Sequence, residues 1–75
     1  MTTLFRVQDI LSEQLGFTRI ELSPEALFTD LNADSLDMVE IVMFVESEFD
    51  IDISDAQADT LTTISSLVDL ITSQQ

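Results

Sequence analysis

Apolar residues recur every three or four positions in several parts of the chain, which is the spacing of one face of an α-helix. The first such stretch predicts a helix that Thr2 or Thr3 caps and that runs to about Leu15. Gly16 can take the left-handed backbone conformation that often ends a helix. The positions predicted to face the core are Leu4, Val7, Ile10, Leu11 and Leu15. We expect this helix to be a scaffold.

The second helix is predicted over residues 36–49, with Ser35 as its N-cap. At about 100° per residue, its apolar side chains fall on two separate arcs. The predicted core arc contains Met38, Ile41, Val42, Val45 and Phe49. The second arc contains Leu36, Val39 and Met43, beside Glu40, Glu46 and Ser47. An apolar stripe with an acidic rim is typical of a binding surface, although neighbouring helices could instead bury both arcs.

A short helix is predicted over residues 55–60. Ser54 and Gln57, which precede and open it, have the spacing of a capping box. Its few apolar residues can bury little surface, so we expect it to be the least stable helix and the one that moves most readily.

The last helix is predicted from Ile64 to about Thr72, with Thr62 or Thr63 as its cap and residues 73–75 frayed.

Residues 17–34 form a long connection between the first two helices. Its apolar residues are predicted to pin it to the core, and they are Phe17, Ile20, Leu22, Leu27, Phe28 and Leu31. Ser23 and Pro24 are typical of the start of a short helical turn. Asn32 can adopt a left-handed backbone conformation.

Together these elements predict an all-α fold. We expect a single domain over residues 1–75: a small four-helix bundle of three longer helices and one short helix, with a long loop between helices 1 and 2. No apolar–polar alternation is long enough to require a strand.

The charge of the chain restricts its partners. The formal net charge is −13, and Arg6 and Arg19 are the only basic residues. Nucleic acid and anionic membrane surfaces would repel such a chain, whereas basic proteins would be attracted. No signal region and no membrane-spanning run is evident in the sequence, so we expect a cytoplasmic monomer.

The side chains that usually perform catalysis are missing from the sequence. It contains no histidine, cysteine or tyrosine, and both basic residues are arginines. We therefore expect a protein that is not an enzyme. Asp50, Asp52 and Ser54 mimic the opening of an EF-hand, but Asp55 and Leu61 replace its required glycine and glutamate. We expect no specific metal site, only weak cation binding or a solvated charge run.

Ser35 is the candidate site of chemistry. It lies between Asp34 and Asp37 at a predicted helix start, where free N–H groups and the helix dipole favour phosphate. A phosphodiester on its hydroxyl is therefore plausible, and the serine is better interpreted as a site acted upon than as a nucleophile.

The tripeptide Asp34-Ser35-Leu36 and its surroundings resemble the prosthetic-group region of acyl carrier proteins. The resemblance continues through residues 36–43 and 48–53, and more weakly through the first and last helices. It implies that a phosphopantetheinyl transferase attaches 4′-phosphopantetheine from coenzyme A to Ser35, with Asp34 and Leu36 completing the cofactor site.

A carrier of this kind would be a phosphoprotein that holds acyl groups as thioesters, here in fatty acid biosynthesis. Its partners would be basic-surfaced synthases, reductases and acyltransferases. The residues matching the family's partner-binding positions are Asp37, Val39, Glu40, Met43 and Glu46. The acyl chain would enter the bundle core between the second and third helices, near Ala58 and Leu61. Asn32, Phe44 and Ser47 depart from residues common in the family.

Two alternatives stay open. The chain could be a carrier for polyketide, peptide or lipid-modification chemistry, since such carriers share the serine. It could also be an acidic helical adaptor that never receives a cofactor, in which Ser35 is only an N-cap. Replacing Ser35 by alanine would separate a carrier from an adaptor.

Overall fold

The computed structural model describes residues 2–74 and contains, within them, four helices and no strand. The helices are α1 (Thr3–Leu15), α2 (Ser35–Phe49), α3 (Asp55–Asp59) and α4 (Ile64–Gln74). The all-α prediction, with one short helix and a long connection after α1, is confirmed. None of these helices is long and apolar enough to cross a membrane.

Helix α1 begins and ends where the sequence predicts. The backbone N–H of Phe5 donates to Oγ1 of Thr2 at 3.1 Å, which satisfies one of the free donors of the first turn. Gly16 takes the left-handed conformation with φ 79° and donates its N–H to the carbonyl of Ser12.

The core lies around α1, which packs against both α2 and α4. Val7 and Leu11 of α1 are completely buried, and Leu4, Ile10 and Leu15 are partly buried against the same cluster. The buried residues that α2 and α4 contribute to this core are Ile41, Val42, Val45, Phe49, Ile64, Leu67 and Ile71. Burial of this cluster is the main favourable term holding the small bundle together.

The long connection is pinned by fewer residues than predicted. Leu22, Phe28 and Leu31 are buried and Phe17 is partly buried. The prediction was wrong for Ile20 and Leu27, which are 91% and 40% exposed. Ile20 lies inside a turn in which the N–H of Glu21 and that of Leu22 both donate to the carbonyl of Thr18, and this turn brings Leu22 to the core instead.

Residues 23–25, predicted to start a short helical turn, form one hydrogen-bonded turn that does not continue as a helix. The N–H of Ala26 closes the turn on the carbonyl of Ser23. The carbonyls of Pro24 and Ala26 instead accept from the N–H groups of Ser65 and Ile64, at 2.9 and 3.1 Å. These donors belong to the first turn of α4 and have no partner inside their own helix, so tertiary pairing wins over local helix formation here.

Capping explains the bounds of α3. Ser54 and Gln57 form the predicted capping box, with the N–H of Gln57 donating to Ser54 Oγ at 3.1 Å and that of Ser54 donating to Gln57 Oε1 at 3.0 Å. The helix ends at Asp59, one residue before the predicted end, because Thr60 is its C-cap. No residue of α3 is buried.

Helix α4 is longer than predicted. The N–H of Ser66 donates to Thr63 Oγ1 at 3.1 Å, so Thr63 is the capping residue of the two candidates. The helix continues through Ser73 to Gln74, because the Gln74 side-chain amide donates to the backbone carbonyl of Asp52 and ties the end down. Residues 73–75 were predicted to fray after a helix that ends at Thr72; Ser73 and Gln74 instead have helical conformation, and Gln75 lies outside the described residues.

Candidate functional site

The start of α2 differs by one residue from the prediction. Asp34, and not Ser35, is the N-cap: its Oδ1 accepts from the backbone N–H of Asp37 at 2.9 Å. Asp37 returns the bond, since its Oδ2 accepts from the N–H of Asp34 at 3.2 Å. Aspartate caps a helix as well as serine does, and this reciprocal pair satisfies two backbone donors at once. Ser35 is therefore the first residue of the helix.

This capping pair partly offsets an electrostatic problem around Ser35. Two carboxylates beside a phosphate site would repel it, but those of Asp34 and Asp37 are each bonded to a backbone N–H at the positive end of the α2 dipole. Ser35 itself is exposed and is not needed as the cap. Its hydroxyl is thus accessible at a helix start.

The backbone before the site has the conformation that the sequence predicts for Asn32. Asn32 lies in the left-handed region with φ 59°, and the following Ala33 donates its N–H to the carbonyl of Phe28 at 3.1 Å. Because asparagine tolerates this conformation better than most residues do, the turn can deliver Asp34 and Ser35 to the start of α2.

Ser35 lies on the edge of a groove of about 540 Å³ between α2, α3 and the end of the long connection. Much of the lining is apolar, and it includes Met38, Val42, Met43, Ile53, Ala58 and Leu61. Phe28 and Ala33 also line the groove although they lie outside every helix. Helical periodicity could not identify these two residues, because only the folded connection brings them to α2.

The second apolar arc of α2 is exposed. Leu36, Val39 and Met43 have 66%, 56% and 62% of their surface exposed, so the alternative that neighbouring helices bury both arcs is excluded. On the first arc Ile41, Val42, Val45 and Phe49 are buried, and Met38 is partly buried against them. Helix α2 therefore has one core face and one apolar face open to solvent.

The three predicted acidic contacts differ in their surroundings. Glu40 is exposed, while Asp37 is half-buried in the capping pair. Glu46 is also half-buried, and its Oε2 accepts from the backbone N–H of Ile53 at 2.8 Å. This bond holds the segment between α2 and α3 against α2, a role that no sequence pattern indicates. The loop bond places Glu46 in the scaffold of the groove as well as on its lining.

Phe44 is a further exposed residue of α2, with half of its surface open to solvent. It belongs to neither predicted arc and does not line the groove.

The acidic segment after α2 offers no cage for a metal ion. Among the described residues, no group of three or more aspartates and glutamates is placed to hold a metal. Asp50 takes a left-handed conformation with φ 55° and caps α2 by donating its N–H to the carbonyl of Glu46.

These features fit a covalently attached phosphodiester arm. The Ser35 hydroxyl is accessible, its flanking carboxylates are held in place, and an apolar groove adjoins it. The start of α2 supplies N–H groups and a dipole of the sign that phosphate prefers.

Comparisons with known proteins agree with this geometry. Residues 6–71 match the family described as "Phosphopantetheine attachment site". A curated acyl carrier protein from Cyanidioschyzon merolae (strain NIES-3377 / 10D) is 56% identical over 69 residues, which is 91% of this chain and 76% of that protein. The crystal structure of an acyl carrier protein from Thermotoga maritima superposes with a TM-score of 0.82 and 28% identity, over 95% of this chain and 84% of that one. The chain therefore belongs to the acyl carrier protein family, whose members are carriers with a 4′-phosphopantetheine prosthetic group and not catalysts.

Proposed function

We propose that Ser35 is the attachment site of 4′-phosphopantetheine and that residues 1–75 form a single carrier domain that serves fatty acid synthesis. The observation that carries the proposal is the position of Ser35: an exposed serine at the first residue of α2, on the edge of an apolar groove. When bound, the prosthetic group supplies a terminal thiol that holds acyl groups as thioesters. That sulfur is absent from the amino-acid sequence, which has no cysteine.

Residues of this chain would position the attachment. Asp34 and Asp37 hold the backbone at the start of α2 through their reciprocal bonds, and the exposed Ser35 lies at this end of the helix. Free N–H groups of the first turn of α2 would balance the negative charge of the phosphodiester. Leu36, the next residue, is exposed and would contact the transferase through its apolar surface.

The groove would receive the acyl chain. It leads from Ser35 between α2 and α3 and reaches Ala58 and Leu61. Helix α3 buries none of its residues, so displacing it to admit a longer chain would cost little packing energy. Amide shifts of an acylated form that remain confined to the neighbourhood of Ser35 would count against this proposal.

Partner enzymes would dock on the exposed face of α2. Leu36, Val39 and Met43 would fill an apolar contact, and methionine adapts to differently shaped partners. Glu40, Asp37 and Glu46 would meet basic residues of synthases, reductases and acyltransferases. Because the bond to Ile53 already engages one oxygen of Glu46, its contribution would come from the other oxygen.

The choice of pathway rests on the acidic second helix. A carrier for polyketide, peptide or lipid-modification chemistry would also use Ser35. The cytoplasmic location and the monomeric state stay predictions of the sequence.

The test of attachment is intact mass after incubation with coenzyme A and a promiscuous phosphopantetheinyl transferase. The parent should gain one phosphopantetheine and Ser35→Ala none. Ser47→Ala is the matched control, because Ser47 is also an exposed serine of α2 and its loss should not change loading. No gain in a folded parent, with an active transferase on a known substrate, would favour the adaptor alternative.

A further inference from the structure

The two arginines of this chain are bound in the same way. The guanidinium carbon of Arg6 lies 4.3 Å from the centroid of the Phe49 ring, and its Nη2 pairs with the Glu48 carboxylate at 2.7 Å. Arg19 lies 3.7 Å from the centroid of the Phe5 ring and pairs with the Asp9 carboxylate. In both cases one guanidinium uses an aromatic face and a carboxylate together.

The second of these sites is formed by neighbours on one helix surface. Phe5 and Asp9 are four residues apart on α1, and side chains at that spacing lie one above the other. A phenylalanine and an acid at this spacing on a partly exposed helix face thus hold one arginine of this protein.

Helix α2 has acids at the same spacing on both sides of Phe44, Glu48 in the same order as in α1 and Glu40 in the reverse order. Glu40 lies four residues before Phe44 and Glu48 four residues after it, so both carboxylates are its neighbours on the helix surface. Ser47, three residues after Phe44, is an exposed, short side chain on the same side of the helix. Phe44 is 50% exposed, and Glu40 is exposed too.

No arginine of this chain is free to bind there. Arg6 and Arg19 are the only basic residues of the sequence, and both are held by their own phenylalanine and carboxylate. Arg6 also occupies Glu48, which leaves Glu40 as the neighbour of Phe44 that forms no ion pair within residues 2–74.

We propose that Phe44 and Glu40 form a binding site for an arginine side chain of a partner protein. Arginine is preferred over lysine, because its planar, weakly hydrated guanidinium stacks on a ring while it pairs with a carboxylate. The proposal deepens the proposed function, because it rests on α2 being the face that partners recognise. It adds a specificity-determining residue, Phe44, that distinguishes an arginine-bearing partner from a lysine-bearing one.

The site lies apart from the groove. Val39, Met43 and Glu46 line the groove on one side of the exposed stripe, whereas Phe44 does not line it. At about 100° per residue, Phe44 falls on the opposite side of that stripe from Glu46. A partner that covers the stripe could therefore place an arginine on Phe44 without blocking the path from Ser35.

The test compares two peptides of equal charge, acetylated and amidated tetra-arginine and tetra-lysine, titrated at one ionic strength into the isotope-labelled protein. The parent should bind tetra-arginine about two- to five-fold more tightly than tetra-lysine, the range expected for one exposed cation–π contact. The ring resonances of Phe44 should shift with tetra-arginine.

Two variants distinguish the contribution of the Phe44 ring to binding from that of the Glu40 charge. Phe44→Leu should bring the arginine-to-lysine ratio to about one and leave lysine affinity unchanged, since it keeps an apolar side chain. Glu40→Gln should weaken both peptides. Ile20→Leu, a matched change at an exposed apolar residue outside α2 and outside every proposed contact, should keep the ratio of the parent.

Equal affinities in the parent, a preference that survives Phe44→Leu, or ring shifts confined to Phe5 and Phe49 would each overturn the proposal. The titration is repeated on Ser35→Ala and needs no phosphopantetheine. Its outcome is therefore independent of whether Ser35 is loaded, and failure of one proposal is distinguishable from failure of the other.

Discussion

Arg6 of α1 makes two bonds to Glu48 in the last turn of α2. Its Nη2 donates to the Glu48 carboxylate at 2.7 Å and to the Glu48 backbone carbonyl at 3.1 Å. That carbonyl is one of the last four of the helix, which have no partner within it. The cation also lies at the negative end of the α2 dipole. The Arg6 side chain therefore links α1 to α2 and also provides a hydrogen-bond donor for a carbonyl at the C-terminal end of α2.

Replacing Arg6 by methionine should lower the free energy of unfolding by about 1–2 kcal/mol, which combines a helix-end charge, a partly exposed ion pair and a cation–π contact. Arg6→Lys should recover part of the loss, because it keeps the charge without the planar fork. Urea denaturation of both variants checks this. Equal stability of the parent and Arg6→Met would show that solvent screens the contact completely.

The capping pair makes a prediction about two adjacent residues. Asp34→Ala should destabilise the protein by about 1 kcal/mol, because it removes the acceptor for the Asp37 N–H. Ser35→Ala should change stability by less than about 0.5 kcal/mol, since Ser35 is an exposed residue of the first turn. Thermal and urea unfolding of the two variants compare them directly. A larger loss in Ser35→Ala than in Asp34→Ala would contradict the assignment of the cap.

Glu46 should contribute to stability as well as to recognition. Glu46→Ala leaves the Ile53 N–H without its carboxylate partner and should cost about 1–2 kcal/mol. Faster hydrogen exchange of the Ile53 amide is the measurement that locates the effect. Glu40→Ala is the control, because Glu40 is an exposed acid on the same helix and its removal should change stability by less than about 0.5 kcal/mol.

Glu21 should titrate below the ordinary glutamate range. The Thr18 backbone N–H and then its hydroxyl donate to Glu21 Oε1, at 3.1 and 2.9 Å, and lower the pKa of that carboxyl. The folded state thus favours the ionised form of Glu21. Its contribution to the stability of the fold is therefore fully present above the pKa of the unfolded chain, and it is lost as the pH falls through the lowered pKa of the folded state. Carboxyl-carbon NMR titration should show the low pKa in the parent and a higher one in Thr18→Ala. An unchanged pKa in that variant would assign the whole shift to the backbone bond.

Added salt should raise the melting temperature. Fifteen acidic residues against two basic ones give strong self-repulsion, which weakens as the Debye length falls from about 30 Å at 0.01 M to about 3 Å at 1 M salt. A variant with Asp52→Asn and Asp59→Asn, both exposed acids, should depend less on salt than the parent. A melting temperature that stays flat or falls across the titration would contradict this expectation.

Short-range sequence signals were sufficient to locate the helices. Thr2, Gly16 and the Ser54–Gln57 box mark helix ends through bonds to residues three or four positions away, so short sequence windows contain the necessary information. The same holds for the two arcs of α2, because exposed and buried residues separate on a helix at a fixed angle. The motif around Ser35 likewise predicts the family without reference to the tertiary structure.

Short-range sequence signals do not decide which of two adjacent residues is the N-cap when both residue types are suitable. Ser35 and Asp34 both suit an N-cap, and only the backbone geometry, with Asp34 extended and Ser35 helical, decides between them. The turn at residues 23–25 stops after one turn for a related reason, since the carbonyls of Pro24 and Ala26 bond to the start of α4, about 40 residues later in the chain.

The sequence by itself therefore determined the helices, the charge, the serine and the family, because each depends on residue type or on contacts within one helical turn. Only the tertiary structure decided that a groove adjoins Ser35, that Glu46 holds Ile53, and that Phe44 remains open while Arg6 and Arg19 are occupied. Those facts depend on contacts between residues that are far apart in the sequence. Such contacts are determined by the packing of the whole core around α1, which short-range sequence patterns do not predict.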